Sequence, residues 1–215
     1  MIAIVDYGLG NLHSAAKAFE RIGCEAMLTS APAEIASADA VVLPGVGAYG
    51  DCYRGLEQAG LVEPVREAAF SGKPFLGICV GFQLMFEGSE EGDFEGGLGI
   101  FKGWIRRFRP PGGSGLKVPH MGWNQVSVPA GRTCPLLAPG ESPYFYFVHS
   151  YYADPVDPEI VLAECVYDKP FPAIIGQGNI FACQFHPEKS QEAGLALLKR
   201  FGERVGLRGN EVCAT

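Results

Sequence analysis

The run Phe75-Leu76-Gly77-Ile78-Cys79-Val80-Gly81-Phe82-Gln83 constrains the fold of this chain more than any other segment. A short apolar stretch meets a cysteine set between two glycines, and a segment of helical character follows. That order describes a strand that enters an interior, turns sharply and leaves as a helix, with the Cys79 side chain held out at the turn. Side chains two residues to either side would crowd such a turn, so glycine is the sterically open choice there. The N–H groups at the start of the helix point toward the sulfur and favour thiolate over thiol. A buried structural cysteine in an apolar strand would share part of this pattern, and the far end of the chain decides between the two.

The residues before the turn supply the sheet it needs. Ile2–Asp6 reads as a short apolar strand, and Leu12, Ala15, Ala16, Phe19 and Ile22 recur at helical spacing over residues 11–22, with Gly23 as the stop. Further strands are predicted near Ala26–Thr29 and Ala40–Leu43, a short helix near Pro32–Ser37, and helix over residues 51–70 broken around Gly60. Gly72 then precedes the strand Phe75–Ile78. Apolar strands alternating with helices predict an α/β fold, an open and largely parallel central sheet flanked by helices.

After Phe86 the pattern changes. Residues 88–103 are glycine-rich and acidic and residues 110–115 read as a loop. Strand-like runs follow at 104–108, 124–128, 144–148, 160–167, 173–176 and 180–185 without intervening helices. These are predicted to pair antiparallel as an additional strand region. Residues 191–205 read as a last helix, with Lys199, Arg200 and Arg204 at the negative end of its dipole. With no repeat or linker, one domain over residues 1–206 is expected, followed by a mobile tail, 207–215.

In that second half, Phe185-His186-Pro187-Glu188-Lys189-Ser190 puts a histidine and a carboxylate two positions apart. On an extended strand residues i and i+2 share a face, so both can approach one site, and Pro187 stiffens the chain between them. A base histidine needs an orienting carboxylate to hold its tautomer and stabilise the imidazolium. Cys79 as nucleophile, His186 as base and Glu188 as orienter therefore make a complete triad.

A 215-residue chain that is 47% hydrophobic and 19% charged is a globular protein, large enough for a substantial core. The net charge of −7 argues against a nucleic-acid surface, and the densest basic patch, Arg106, Arg107 and Arg109, reads as a solvated strand. Seven scattered cysteines with no C-x-x-C fit a reducing cytoplasm better than a disulfide framework or zinc site. The four histidines show no metal-ligand spacing, so no metal is expected. Met1–Asp6 does not resemble a secretory signal, and no apolar run approaches membrane-spanning length. A soluble, cytoplasmic protein is expected.

With Cys79 and His186-Pro187-Glu188 in place, the chain resembles the class I, triad-type glutamine amidotransferases. Residues 6–14, DYGLGNLHS, Leu43-Pro44-Gly45-Val46-Gly47, Pro119-His120-Met121-Gly122-Trp123-Asn124, Val148-His149-Ser150-Tyr151 and residues 185–190 narrow the likeness to the glutaminase subunits of imidazole glycerol phosphate synthase. The resemblance runs from Met1 to about residue 206. Val80 and Phe82 stand where that family often has leucine and methionine.

The resemblance implies hydrolysis of the glutamine side-chain amide, with no cofactor. It implies an oxyanion hole from the Val80 N–H and the Val46–Gly47 region, where flanking glycines let a peptide unit reorient. It places Gly47, Gln83, Ser150 and Tyr151 around the bound glutamine. It also implies a heterodimer with a (β/α)₈-barrel cyclase that receives the ammonia and makes imidazole glycerol phosphate and aminoimidazole carboxamide ribotide. Met121, Trp123, Lys189, Tyr144 and Tyr146 are candidates for its docking face. The competing readings are the glutaminase of another synthase (pyridoxal phosphate or anthranilate type), a cysteine peptidase, and a non-catalytic binding module on the same fold.

Overall fold

Strands buried at every residue belong inside a sheet covered on both faces. In the computed structural model, which describes residues 1–205, Ile2–Val5 (β1) is such a strand. Leu12–Arg21 (α1) leads to Ala26–Thr29 (β2), and Pro32–Ser37 (α2) to the wholly buried Ala40–Gly45 (β3). Tyr49–Gln58 (α3) and Val62–Phe70 (α4), separated around Gly60, lead to the wholly buried Phe75–Cys79 (β4). All pairings among β1 to β4 are parallel. Each helix turns a buried face to the sheet, as with Ala15, Ala18 and Phe19 of α1.

Beyond β4 come Val80–Gln83 (α5), Gly88–Ser89 (β5), Gly103–Arg107 (β6), His120–Ser127 (β7), Tyr144–His149 (β8) and Tyr151–Pro155 (β9). Val161–Val166 (β10), Pro170–Gln177 (β11), Ile180–Cys183 (β12) and Gln191–Arg204 (α6) complete the described chain. The main sheet has nine strands in the order β2-β1-β3-β4-β12-β11-β10-β7-β8, and β5-β6-β9 form a small second sheet.

The fold class is as expected, with corrections in the second half. β12 pairs antiparallel with β11 but parallel with β4, so it joins the two halves into one sheet. A strand has two edges, and the local pattern betrays only the hairpin partner across Gly178-Asn179. The parallel partner lies about a hundred residues earlier in sequence. β7 begins at His120, four residues before the predicted start. There the inward positions are His120, Gly122 and Asn124 while Met121 and Trp123 face out, an inverted polarity that hides the strand. The strands β5 and β9 were not anticipated, and the predicted tail lies outside the described residues. No helix among the described residues is long and apolar enough to cross a membrane.

Candidate active site

β3, β4 and β12 run parallel, so the loops after them leave the sheet at the same carboxyl edge. Cys79 sits at the tip of β4 with φ +55° and ψ −110°, an unfavourable conformation for a residue with a Cβ. Close packing holds it there. A Cβ on Gly81 would lie 1.9 Å from the Leu43 carbonyl oxygen, and one on Gly77 2.6 Å from the Met85 sulfur. The helix that follows, α5, is a single turn, shorter than its sequence suggested. The N–H groups of Met85 and Phe86 already bond to carbonyls three residues back, which tightens the chain out of α-helix. Val80, the first residue of α5, has an N–H with no acceptor inside the helix.

His186 and Glu188 meet, though not on an extended strand. β12 ends at Cys183, and Pro187–Lys189 form a 3-10 turn, the backbone that proline favours at a first helical position. His186 Nδ1 lies 2.8 Å from Glu188 Oε1, with both side chains buried. Because Nδ1 is engaged by the carboxylate, Nε2 is the nitrogen left for Cys79, which lines the same cavity as His186. Burial, the largest single influence, pushes His186 toward the neutral form. The hydrogen bonds and charges of Cys79 and Glu188 together outweigh it, and the His186 pKa is pushed up to about 10. The turn is braced from β8: the His186 N–H donates to the Tyr146 carbonyl (3.0 Å), and the Ser190 hydroxyl donates to the His186 carbonyl (2.6 Å) while accepting the Tyr146 N–H (3.0 Å).

A cavity of about 390 Å³ opens beside this group. Of the predicted residues, Cys79, His186, Val46, Gly47, Val80, Gln83, Ser150, Tyr151 and Lys189 all line it. Gln83 is buried and donates through Nε2 to Gln184 Oε1 (3.0 Å) and to the Tyr151 carbonyl (3.3 Å), which leaves its own Oε1 as a free acceptor. On the Pro44–Gly47 loop, Gly45 is glycine for packing and not for freedom, since its Cβ would lie 2.7 Å from the Gly81 nitrogen. Gly47, at φ +101° with open space around it, carries the loop's conformational latitude. The Val46 carbonyl accepts from the Cys52 thiol (3.3 Å).

Most of the chain can be matched to known proteins. The model of the family "Glutamine amidotransferase class-I" matches residues 3–205. "Imidazole glycerol phosphate synthase subunit HisH" of Geobacter sulfurreducens is 50% identical over 206 residues, covering 94% of this chain and 98% of that one. The subunit of the same name from Chromobacterium violaceum is 52% identical over 209 residues, 93% and 96% of the two chains. A solved structure described as "Crystal structure of glutamine amidotransferase" superposes with a TM-score of 0.73 at 20% identity, covering 96% of this chain and all of the other. This chain belongs to the class-I glutamine amidotransferases, among the HisH subunits of imidazole glycerol phosphate synthase.

For a chain of this family, two further residues at the site escaped sequence reasoning. Asn11 Nδ2 donates to Glu188 Oε1 (3.1 Å), the oxygen that also faces His186, while Glu188 Oε2 is buried without a partner. Glu91 lines the cavity and accepts the Tyr49 N–H (2.8 Å). The Asp6–Ser14 segment stood out as family-specific, but nothing in it marked Asn11 as a partner for the far end of the chain. Glu91 was hidden among several neighbouring acids.

The candidate docking residues are not in the cavity wall, Lys189 excepted. Met121 (63% exposed), Trp123 (47%) and Tyr144 (55%) lie on the outer face of β7 and β8, with Tyr146 beside Trp123 at a centroid distance of 6.2 Å. Lys189 is exposed on the 3-10 turn. The six described cysteines are free. Burial pushes the Cys52 thiol up to about 11 and that of Cys165 up to about 12, and holds Cys183 well above its usual range. Among the described residues no cluster of three or more His, Cys, Asp or Glu side chains has the geometry to hold a metal ion.

Proposed function

We propose that Cys79, His186 and Glu188 hydrolyse the side-chain amide of glutamine, and that the ammonia passes to a cyclase subunit docked over the outer face of β7 and β8. The observation that carries this reading is the His186 imidazole, bonded to Glu188 through Nδ1 and sharing with Cys79 the wall of a cavity of suitable size. The Cys79 sulfur attacks the carboxamide carbon. Collapse of the tetrahedral intermediate breaks the C–N bond, and the proton on His186 goes to the departing ammonia. Water, deprotonated by His186, then attacks the thioester and glutamate leaves.

The Val80 N–H and an N–H of the Val46–Gly47 segment serve as oxyanion donors, each worth on the order of 10²–10³ in rate. Gln83, through its free Oε1, and the Ser150–Tyr151 segment flank the substrate. The Glu91 carboxylate provides an acceptor for its α-ammonium group. The partner is a (β/α)₈-barrel cyclase that makes imidazole glycerol phosphate and aminoimidazole carboxamide ribotide, and Met121, Trp123, Tyr144, Tyr146 and Lys189 contact it. Free, scattered thiols suit work in the cytoplasm.

The test is Cys79→Ala in complex with the cyclase. Glutamine-dependent synthesis should vanish while synthesis from added ammonia stays near the unmodified level, because ammonia bypasses the thiol. A glutamine-like electrophile should modify Cys79 and spare the other cysteines. Modification centred on Cys52 or Cys183 would sink the assignment.

A further inference from the structure

Two buried histidines take no part in the chemistry above. His120 on β7 and His149 on β8 face each other across the antiparallel pair, 3% and 6% exposed. His120 stacks on Tyr167 (4.1 Å between centroids) and Phe147 (4.9 Å), Phe108 packs edge-on against both rings, and Phe171 packs edge-on against His120 and tilted against His149. Four ring nitrogens in an aromatic cage would be costly unless each found a partner. Two of the four ring nitrogens meet each other and the other two bond to groups outside the pair, and together these three contacts fix a direction.

His149 Nδ1 lies 2.7 Å from the Tyr151 carbonyl oxygen, which can only accept, so Nδ1 carries the hydrogen. In a neutral ring His149 Nε2 is then an acceptor, and it lies 2.9 Å from His120 Nδ1, which must donate. His120 Nε2 is left as an acceptor and takes a hydrogen from Asn124 Nδ2 (3.2 Å). The Asn124 amide is itself fixed in orientation, donating to the Val166 carbonyl (2.9 Å) and accepting the Gln125 N–H (2.8 Å). Burial holds both imidazoles on the neutral side, as this chain of donors requires.

The two ends of the chain lie at different places. Asn124 and His120 alternate along β7 with Met121 and Trp123, whose side chains form the outer face. The Tyr151 carbonyl accepts both from His149 and from Gln83, a residue of the cavity wall whose Nε2 is fully engaged. We propose that Asn124, His120 and His149 form a positioning relay that ties the docking strand β7 to the Tyr151 carbonyl, and through it sets how well Gln83 and the Ser150–Tyr151 segment hold glutamine. A displacement of β7 by a bound partner moves a donor that has one acceptor only. The Tyr151 peptide must follow or lose its bond. His149 lines the cavity, yet none of the three side chains bonds to Cys79, His186 or Glu188, so the relay acts on substrate affinity and not on the chemical step. This rests on the glutaminase reading given above.

The experiment is glutamate release by the complex with the cyclase, fitted for KM and kcat, in His120→Leu and His120→Asn. Leucine removes the donor to His149, and the glutamine KM should rise about tenfold, the effect of one buried acceptor left unpaired. kcat should stay within about twofold, and ammonia-dependent synthesis should be unchanged, since it does not use the pocket. Asparagine keeps an N–H close to the place of Nδ1 and should bring KM back to within about threefold of the unmodified complex. Should the leucine variant fail to fold, the asparagine variant and the ¹⁵N resonances of labelled histidine in the unmodified chain still test the relay. Both rings should be neutral with the hydrogen on Nδ1. An Nε2–H tautomer on either ring, an unchanged KM in the folded leucine variant, or a fall in kcat with KM fixed would overturn it. An unmodified complex that releases no glutamate from glutamine defeats the glutaminase reading and the relay with it, whereas an active complex indifferent to His120 defeats the relay alone.

Discussion

β3 and β4 position Cys79 with almost no help from polar side chains, whereas β7, β8 and β12 position His186 and Tyr151 almost entirely through hydrogen bonds. On the first side a Cβ at Gly81 would run into the Leu43 carbonyl at 1.9 Å, and at Gly45 and Gly77 it would meet a neighbour at 2.7 and 2.6 Å. On the second, Ser190, Tyr146, Asn11 and the two buried histidines hold the backbone and side chains by paired donors and acceptors. Steric exclusion has no directionality to tune, and it suits a side chain that must sit in one strained conformation. Hydrogen-bonded positioning can shift when a neighbouring strand shifts, which suits groups that respond to a partner. The consequence is that substitutions in the two regions should fail in different ways.

The largest effect should come from Gly81→Ala. The added carbon meets backbone, which cannot rotate aside, so the loss should be about 3 kcal/mol or more and take the fold with it. Thermal unfolding measures this, and a variant as stable as the unmodified chain would mean that the turn at Cys79 has room this structure does not show. Glu188→Gln, in the hydrogen-bonded region, should fold normally and yet lose on the order of 10³–10⁴ in kcat, since the imidazolium loses its charge support. Equal turnover would place the orienting carboxylate elsewhere.

Asn11→Leu removes one of two hydrogen bonds on Glu188 Oε1 and should lower kcat about tenfold with little change in KM. A KM effect without a kcat effect would move Asn11 from the triad to the substrate site.

The smallest effect is on stability against pH. Burial pushes His120 down to about 4 and His149 down to about 3, against 6.5 for an ordinary histidine. As pH falls below 6.5 the unfolded chain takes up protons that the folded chain refuses, so stability present above that pH is progressively lost toward pH 4. His186 has the opposite sign. Its proton is held more tightly in the fold, so its contribution is complete below 6.5 and fades as pH rises through its raised value. Denaturant midpoints between pH 5 and pH 7 should therefore decline on the acid side, and amide exchange should show β7 and β8 opening before β1 and β3. Uniform loss across the sheet would break the contrast between the two regions.

The same contrast explains what the sequence disclosed. Steric rules are local, so the glycines around Cys79 and the alternation of β1 to β4 with their helices could be read directly. The His186–Glu188 pair was legible as a pair, although the backbone that joins them is a 3-10 turn and not the expected strand. Hydrogen-bonded positioning is non-local. Asn11 meets Glu188 across 177 positions, and no pattern within either segment announces the other. His120, Gly122 and Asn124 face inward on β7, so the usual rule of apolar-in, polar-out concealed where that strand begins. β12 could be seen as a hairpin strand because β11 adjoins it in sequence, but its bond to β4 could not.

That last bond has a bearing on biosynthesis. β12 is the seam between the two halves of the sheet, and it carries His186 to Cys79 only once it is paired beside β4. A ribosome working from the N-terminus at about 5–20 residues per second delivers Cys79 some seconds before His186. Throughout that interval the growing chain has Cys79 but not His186. On the triad reading proposed above, Cys79 waits without His186 until the strand that completes the sheet brings the two together.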